Sequence, residues 1–281
     1  MTDTVEQFHH SIIQHGSLND RVYIMKLDKR DFPKIFDYVQ RLAEKKQYSK
    51  IFAKVPSWAL NFAMDKNYIC EAVIPGFFNG LIDGYFLSKY IDESRKRIND
   101  ENERKINQVK QIAQKYKTNS ASSLLPKNVS IKQLRKKDLD SLASIYKAVF
   151  TSYPFPIHRL SYLEKMIGND VKYYGIFEQG QLVAASAAEM NKDQSHVEMT
   201  DFATIPEARG NNYAYFLLNY MEKQMKKEKM ITAYTIARAL SYGMNITFTK
   251  SSYHYAGLLR NNTAIGGSIE SMNVYYKKIT C

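Results

Sequence analysis

The chain has 281 residues, 44% of them hydrophobic and 13% aromatic, enough to bury one large core or two modest ones. No run of about 18 apolar residues occurs, and the opening MTDTVEQFHH lacks the basic start and apolar middle of a secretory signal, so no membrane partner and a cytoplasmic location are expected. The formal charge of +12 lies largely in DESRKRINDENERKINQVKQIAQKYK (92–117) and MEKQMKKEKM (221–230); solvated helix faces explain most of it, nucleic acid is not the expected partner, and the remaining excess suits an anionic cofactor with several phosphates.

Taken in order, RVYIMKL (21–27) reads as a strand, DFPKIFDYVQRLAEKK (31–46) as a helix, KIFAKV (50–55) as a strand and SWALNFAMDK (57–66) as a helix. YICEAVI (68–74) and GYFLSKYI (84–91) are further strands. This alternating lobe ends near residue 91. Residues 92–117 have a helical pattern with sparse apolar positions, chiefly Ile98, Ile106, Val109 and Ala113, and predict a connecting helix on the surface. TNSASSLLPKN (118–128) reads as a polar linker. The chain therefore divides into an N-terminal α/β lobe (1–91), a connecting helix and linker (92–127) and a second domain (128–281).

The second domain begins with the strand VSIKQLR, then two helices, DLDSLASIYKAVF and RLSYLEKMIG. VKYYGIFEQGQLVAASAAEM follows as a hairpin turning at Gln179 and Gly180. HVEMTDFATI is a long strand, YAYFLLNYMEKQMKK a helix, MITAYTIAR a strand, YGMNITFTK a short helix, and YAGLLR and SMNVYYKKI the last strands. Seven strands and four helices in this order predict a mixed α/β (α+β) fold, a twisted sheet with helices on both faces. AKVPSWALNFAMDK (53–66) also aligns without gaps on ARALSYGMNITFTK (237–250), sharing Ala, Ser, Asn and Lys at matching positions. The first lobe thus reads as a degenerate repeat of the second half of the second domain, with DKRDFPK where the second has ARGNNYA, so one site is expected and not two.

That ARGNNYA turn joins a strand to a helix. The first turn of a helix has unpaired amide donors and a positive dipole end, so amides from Gly210 to Ala214 would cradle phosphates. An ordinary strand-helix connection containing one glycine has the same spacing, and the spacing alone does not choose between them.

At these residues Arg209-Gly210-Asn211-Asn212-Tyr213-Ala214 resembles the acyl-CoA motif of the GNAT acetyltransferases: Arg or Gln, two residues, Gly, one residue, Gly or Ala. Arg209 and Ala214 match the ends, and Asn212 replaces the central glycine. EMTDFATIPEARGNN, TAYTIARALSYGMNITFTK, NNTAIGGSIESMNVYYK and EAVIPGFFNG together resemble the beta-lysine acetyltransferases over nearly the whole chain. The resemblance implies a GNAT fold and acetyl transfer from acetyl-CoA to the terminal amine of beta-lysine. It implies that the pantetheine arm pairs with Phe202, Ala203 and Thr204 and that the pyrophosphate rests on Arg209, Gly210, Asn211, Asn212, Tyr213 and Ala214. The amine attacks directly, so the protein needs a base and an oxyanion site but no nucleophile.

Counting back from Arg209 puts Glu198 where relatives carry a catalytic glutamate, with Asp201 second. Strand alternation places Glu198, Thr200, Phe202 and Thr204 on one face and Met199, Asp201 and Ala203 on the other. Phe248 stands where relatives supply a tyrosine as general acid, leaving Tyr253, Tyr242 or solvent. For the substrate, Arg238 or Arg260 would hold the carboxylate and Glu270 with Asn273 the unreacted amine, while Asn261-Asn262-Thr263 and Gly266-Gly267 read as a polar loop bordering the pocket. The implied product is a compatible solute, and the implied upstream partner is a lysine 2,3-aminomutase. The partner of the chain itself is a small-molecule amine; a homodimer stays open.

Other chemistries leave little trace. The six histidines show no His-Glu-x-x-His pattern, and Cys70 and Cys281 have no metal spacing, so no metal and two free thiols are expected. Two other functions compete: acetylation of another small amine or a protein lysine, and a non-catalytic module that binds acyl-CoA or RNA.

Overall fold

The computed structural model describes residues 3–117 and 125–279, and these form one thirteen-stranded mixed sheet with helices on both faces. The first lobe contributes β1 (Thr4–Phe8), β2 (Ser11–Gly16), β3 (Arg21–Lys26), β4 (Lys50–Pro56), β5 (Ile69–Phe78) and β6 (Ile82–Tyr90), with α1 (Lys34–Lys46) and α2 (Ser57–Asp65). A connecting helix, α3 (Asp100–Lys115), leads to the second domain. There β7 (Val129–Gln133), α4 (Leu139–Val149), α5 (Leu160–Ile167), β8 (Val171–Glu178) and β9 (Gln181–Asn191) precede β10 (His196–Thr204) and α6 (Tyr213–Lys227). The chain ends with β11 (Thr232–Arg238), α7 (Tyr242–Lys250), β12 (His254–Ile265) and β13 (Ser268–Lys278).

Across the sheet the strands run β1-β2-β3-β4-β6-β5-β12-β13-β11-β10-β9-β8-β7. The series β3-α1-β4-α2-β5-β6 and β10-α6-β11-α7-β12-β13 lay their strands in the same order, each opening with a parallel pair followed by antiparallel ones. They meet where Ala72 of β5 pairs with Gly257 of β12. A Cβ on Gly257 would lie 2.0 Å from the carbonyl of Glu71, so only glycine lets the two edges close. Beside this joint Lys50 is fully buried and donates to the Arg260 carbonyl (2.7 Å) and to Glu71 (3.3 Å), and the Arg260 amide donates back to Glu71 (3.1 Å). Arg95 Nε donates to the Asn261 carbonyl at 2.8 Å. Apolar residues of both lobes, among them Phe52, Phe77, Phe86, Tyr234, Leu259 and Met272, form a shared core behind these bonds.

In the second domain α4 and α5 bury Leu139, Leu142, Tyr146 and Leu163 on one face of β8 and β9. On the opposite face α6 buries Leu217, Leu218, Met221 and Met225, the apolar stripe expected from its spacing. The helix α3 buries Ile106, Val109 and Ala113 and packs on α7. The hairpin β1-β2 is absent from the sequence expectation, because TVEQF is an exposed edge strand with no apolar face to report. The segment 261–265, expected as loop, continues β12: Asn262 and Thr263 are buried, and the chain bulges between Leu259 and Thr263 without leaving β13. Of the expected linker, 118–124 lie outside the described residues, as does Cys281; Cys70 is a free thiol. Among the described residues no helix is long and apolar enough to cross a membrane.

Candidate active site

Strands β10 and β11 begin as a parallel pair, His196–Glu198 against Thr232–Tyr234, and then part. Beyond that point β10 stays paired to β9 as far as Thr204, and β11 to β13 as far as Arg238. Among the described residues their facing edges are therefore free of strand pairing, and a strand's polar edge left this way is a template for an extended ligand backbone. Phe202, Ala203 and Thr204 lie on that edge. A bulge between Thr200 and Ala203 turns Asp201 to φ +56°. Simple alternation puts Asp201 opposite Glu198; in the structure the extra residue of the bulge re-aims it, and Glu198, Thr200, Asp201 and Phe202 all line one cavity.

Past Thr204 the chain makes one short turn, Pro206–Ala208, and reaches α6 through Arg209, Gly210, Asn211 and Asn212. Gly210 has φ +85° and Asn212, at the helix cap, φ +56°, and the Asn212 side chain makes no capping bond among the described residues. A Cβ on Gly210 would meet nothing within 4 Å, so glycine is needed there for its backbone angle and not for space. Among the described residues, none of the N–H groups from Gly210 to Tyr215 finds an acceptor in the chain. Six successive donors at a helix N-terminus, beside the exposed Arg209 with its Nε 3.3 Å from the Thr204 carbonyl, suit a pyrophosphate. Asn212 keeps the left-handed turn that the missing glycine would have made. Tyr213 is buried against Glu178 (3.2 Å), and Ala214 is half-buried.

The gap opens on a cavity of about 290 Å³ lying between the two lobes. One wall is acidic. Glu189 of β9 pairs directly with Glu198 of β10, and Asp201 stands beside them. Burial, then Asp201 and Glu198, push the Glu189 carboxyl up to about 8. Burial likewise raises Asp201 to about 6, opposed by hydrogen bonds from Tyr153 and Thr200. From the first lobe Lys54 reaches in, donating to the Tyr234 hydroxyl at 2.9 Å, which donates to Glu198 Oε2 at 2.7 Å. Burial acts to lower the Lys54 ammonium; Tyr23 and Glu198 outweigh it and leave it raised. His196 stacks on Phe77 at 4.2 Å, and burial holds it down at about 3, so it stays neutral. A cluster of carboxylates that repel one another in a buried wall is a receptor for a cationic amine.

The other sequence candidates are spread around this cavity. Phe248 lines it, edge-to-face on Phe202 (5.6 Å), and Tyr253 lies behind Phe248 (ring centroids 5.1 Å apart), buried and outside the lining. Tyr242 is 40% exposed at the start of α7. Arg238 lines the cavity and forms a two-fold ion pair with Glu270, Nε to Oε2 at 3.0 Å and Nη2 to Oε1 at 2.6 Å. Asn262 lines the cavity, whereas Asn273 is bonded to Asn245 (2.7 Å) in the core. Glu189, Tyr153, Lys54, Tyr234, Tyr23 and Arg21 reach the cavity without having been marked by motif. The sequence signal was available for two of them: Glu189 closes the apolar run LVAASAA, and Lys54 interrupts the apolar strand KIFAKV.

A parted parallel pair, an amide cradle at the next helix and an acidic cavity between them suit an amine acyltransferase. Residues 139–241 match the Acetyltransferase (GNAT) family. The chain is 39% identical over 277 residues to a beta-lysine N(6)-acetyltransferase of Methanococcus maripaludis, covering 98% of both. It is 27% identical to the N-acetyltransferase YodP of Bacillus subtilis, covering 96% of both. It is also 27% identical to a beta-lysine N(6)-acetyltransferase of Methanosarcina mazei, covering 88% of this chain and 98% of that one. The chain belongs to the GNAT family and is an N-acetyltransferase.

Proposed function

We propose that the protein transfers the acetyl group of acetyl-CoA to the terminal amine of beta-lysine, giving N-epsilon-acetyl-beta-lysine. The observation that carries this is the position of the acidic wall: Glu198 and Asp201 stand at the point where β10 leaves β11, next to the edge that suits the pantetheine arm. The relatives named for this substrate match the chain end to end, so the similarity takes in both lobes.

In this reading Phe202, Ala203 and Thr204 pair with the pantetheine and the amides of 210–215 hold the pyrophosphate. Asp201 and Glu189 draw in the ammonium. Glu198 takes its proton; the freed nitrogen bonds to the carbonyl carbon, main-chain donors along the open edge of β10 hold the oxyanion, and the C–S bond breaks with its electron pair on sulfur, while the second proton leaves the nitrogen for the departing thiolate or solvent. A thiol of pKa near 8.5 leaves as thiolate without a strong acid, which agrees with Phe248 at the tyrosine position and with Tyr253 buried behind it. The reaction needs no metal. Beta-lysine would be supplied by a lysine 2,3-aminomutase, and the product, with its side-chain charge removed, suits a compatible solute.

The test is turnover of acetyl-CoA with beta-lysine, alpha-lysine, spermidine and a lysine peptide. Beta-lysine should give the highest kcat/KM; activity confined to the peptide, or calorimetry showing no acetyl-CoA binding at millimolar concentration, would refute the assignment.

A further inference from the structure

At the end of the cavity remote from the acidic wall stand three polar side chains, two from the first lobe and one from β12, whose hydrogen-bonding capacity the fold does not fully use. Arg21 of β3 is 4% exposed and lines the cavity. Its Nη1 donates to the Asn262 carbonyl and, at 3.4 Å, to Thr263 Oγ1, while its Nε has no acceptor among the described residues. No carboxylate among the described residues lies within ion-pair distance of it; the guanidinium rests on the rings of Tyr23 (5.2 Å) and Phe52 (5.6 Å). On the neighbouring strand Gln14, paired with Tyr23, is 1% exposed and lines the same cavity, with both amide atoms unpartnered among the described residues. The Asn262 side-chain oxygen is likewise buried and unpartnered.

A buried guanidinium without an anion is costly, and an empty amide beside it adds to that cost. The cost on the guanidinium and on the Gln14 amide nitrogen is offset when a carboxylate enters, because Arg presents paired donors that match its two oxygens and Gln14 Nε2 is a further donor. The rival cation, Arg238, already has its Nε and Nη2 donors on Glu270. Between Arg21 and the acidic wall runs Tyr23, then Lys54, which lies over the Tyr23 ring (5.6 Å) and bonds Tyr234, then Glu198. The cavity is therefore polarised, cationic at the first-lobe end and anionic at the acyl-transfer end.

We propose that Arg21, assisted by Gln14, binds the carboxylate of the substrate, so that the N-terminal lobe selects amines bearing a carboxylate at the far end of the chain and rejects plain alkylamines. This rests on the reading that a small amino-acid amine is acetylated at the β10 gap, and it adds a specificity determinant that the acyl-transfer machinery does not contain.

The experiment measures binding, in the presence of CoA, of beta-lysine, 6-aminohexanoate and hexylamine to the full-length protein and to Arg21→Gln, Arg21→Lys and Gln14→Leu, alongside acetylation of the same amines. Loss of a buried charge-assisted pair should weaken the two carboxylate-bearing amines roughly 100-fold in Arg21→Gln. The preference over hexylamine should collapse with it; Arg21→Lys should recover part of the preference, and Gln14→Leu should lose about ten-fold. Equal weakening of all three amines would mean that Arg21 only holds the lobes together, and would overturn the proposal. An unchanged preference in Arg21→Gln, or its loss in Arg238→Gln instead, would overturn it as well. If unmodified protein binds beta-lysine with this preference yet acetylates none of the amines, the acetylation reading fails while the clamp stands.

Discussion

The two half-sheets of this protein, β3-α1-β4-α2-β5-β6 and β10-α6-β11-α7-β12-β13, share strand order and differ at one junction. In the first, β3 and β4 pair over Arg21–Ile24 and Lys50–Ala53, and the chain enters α1 through a turn closed by its own residues. Asp28 accepts from the Arg30 amide and buried Asp31 from the His10 amide, while Pro33 at the cap has no amide to offer. In the second, the strands part after three pairs, and the turn into α6 leaves six amides open. The same topology leaves a row of open amides, the proposed cofactor cradle, only where the parallel pair comes apart. The first lobe instead contributes side chains to the cavity the second one opens.

Three substitutions can break or sharpen this contrast. The largest effect is expected from Glu198→Gln, which removes the proposed base at the parting point: kcat should fall roughly 100- to 10,000-fold while acetyl-CoA affinity holds. A drop in affinity with unchanged kcat would move the base elsewhere. Next, Gly210→Val forces a β-branched residue to φ +85°, a strain of about 1–3 kcal/mol. The KM for acetyl-CoA should rise roughly ten- to a hundred-fold. Arg30→Gln, exposed at the equivalent junction of the first lobe, should stay within about two-fold; equal responses would erase the distinction between the junctions.

The smallest effect concerns stability. Glu189, half-buried in the cavity wall, has its carboxyl raised from 4.5 to about 8, so the folded state binds the proton more tightly than the unfolded one. That contribution is fully present below about pH 4.5 and is lost as pH rises to about 8. Glu189→Gln should therefore raise Tm at pH 8 by about 2–6 °C, if it recovers one to two kcal/mol. The gain should vanish toward pH 4.5; a gain independent of pH would show that the cost of ionising Glu189, set by burial and then by Asp201 and Glu198, is not its source.

Most strands and helices of the second domain were legible, because their apolar periods are strong and their turns carry Gly, Asn or Pro. The Arg209–Ala214 loop was legible for the same reason, as a short local motif. Asp201 was assigned to the wrong face because a bulge depends on the pairing of β9 and not on the sequence of β10. Arg21, Lys54, Glu189 and Tyr234 come from four strands in two lobes, and only the folded sheet brings them to one cavity. Asn262 was expected at the pocket but in a loop: the polar string NNT reads as a turn, yet its backbone and Asn261 find partners in Arg21, Arg95 and Ser271, which keeps it in β12.

The glycine seam at Gly257 has a mechanical consequence. Because a shared sheet, bolted by Lys50 and Arg95, runs through both lobes, they cannot swing apart like jaws. The distance from the first lobe's cation to the second lobe's acids is set when the chain folds, and in the proposed clamp would work as a fixed ruler for the length of molecule that can be accommodated.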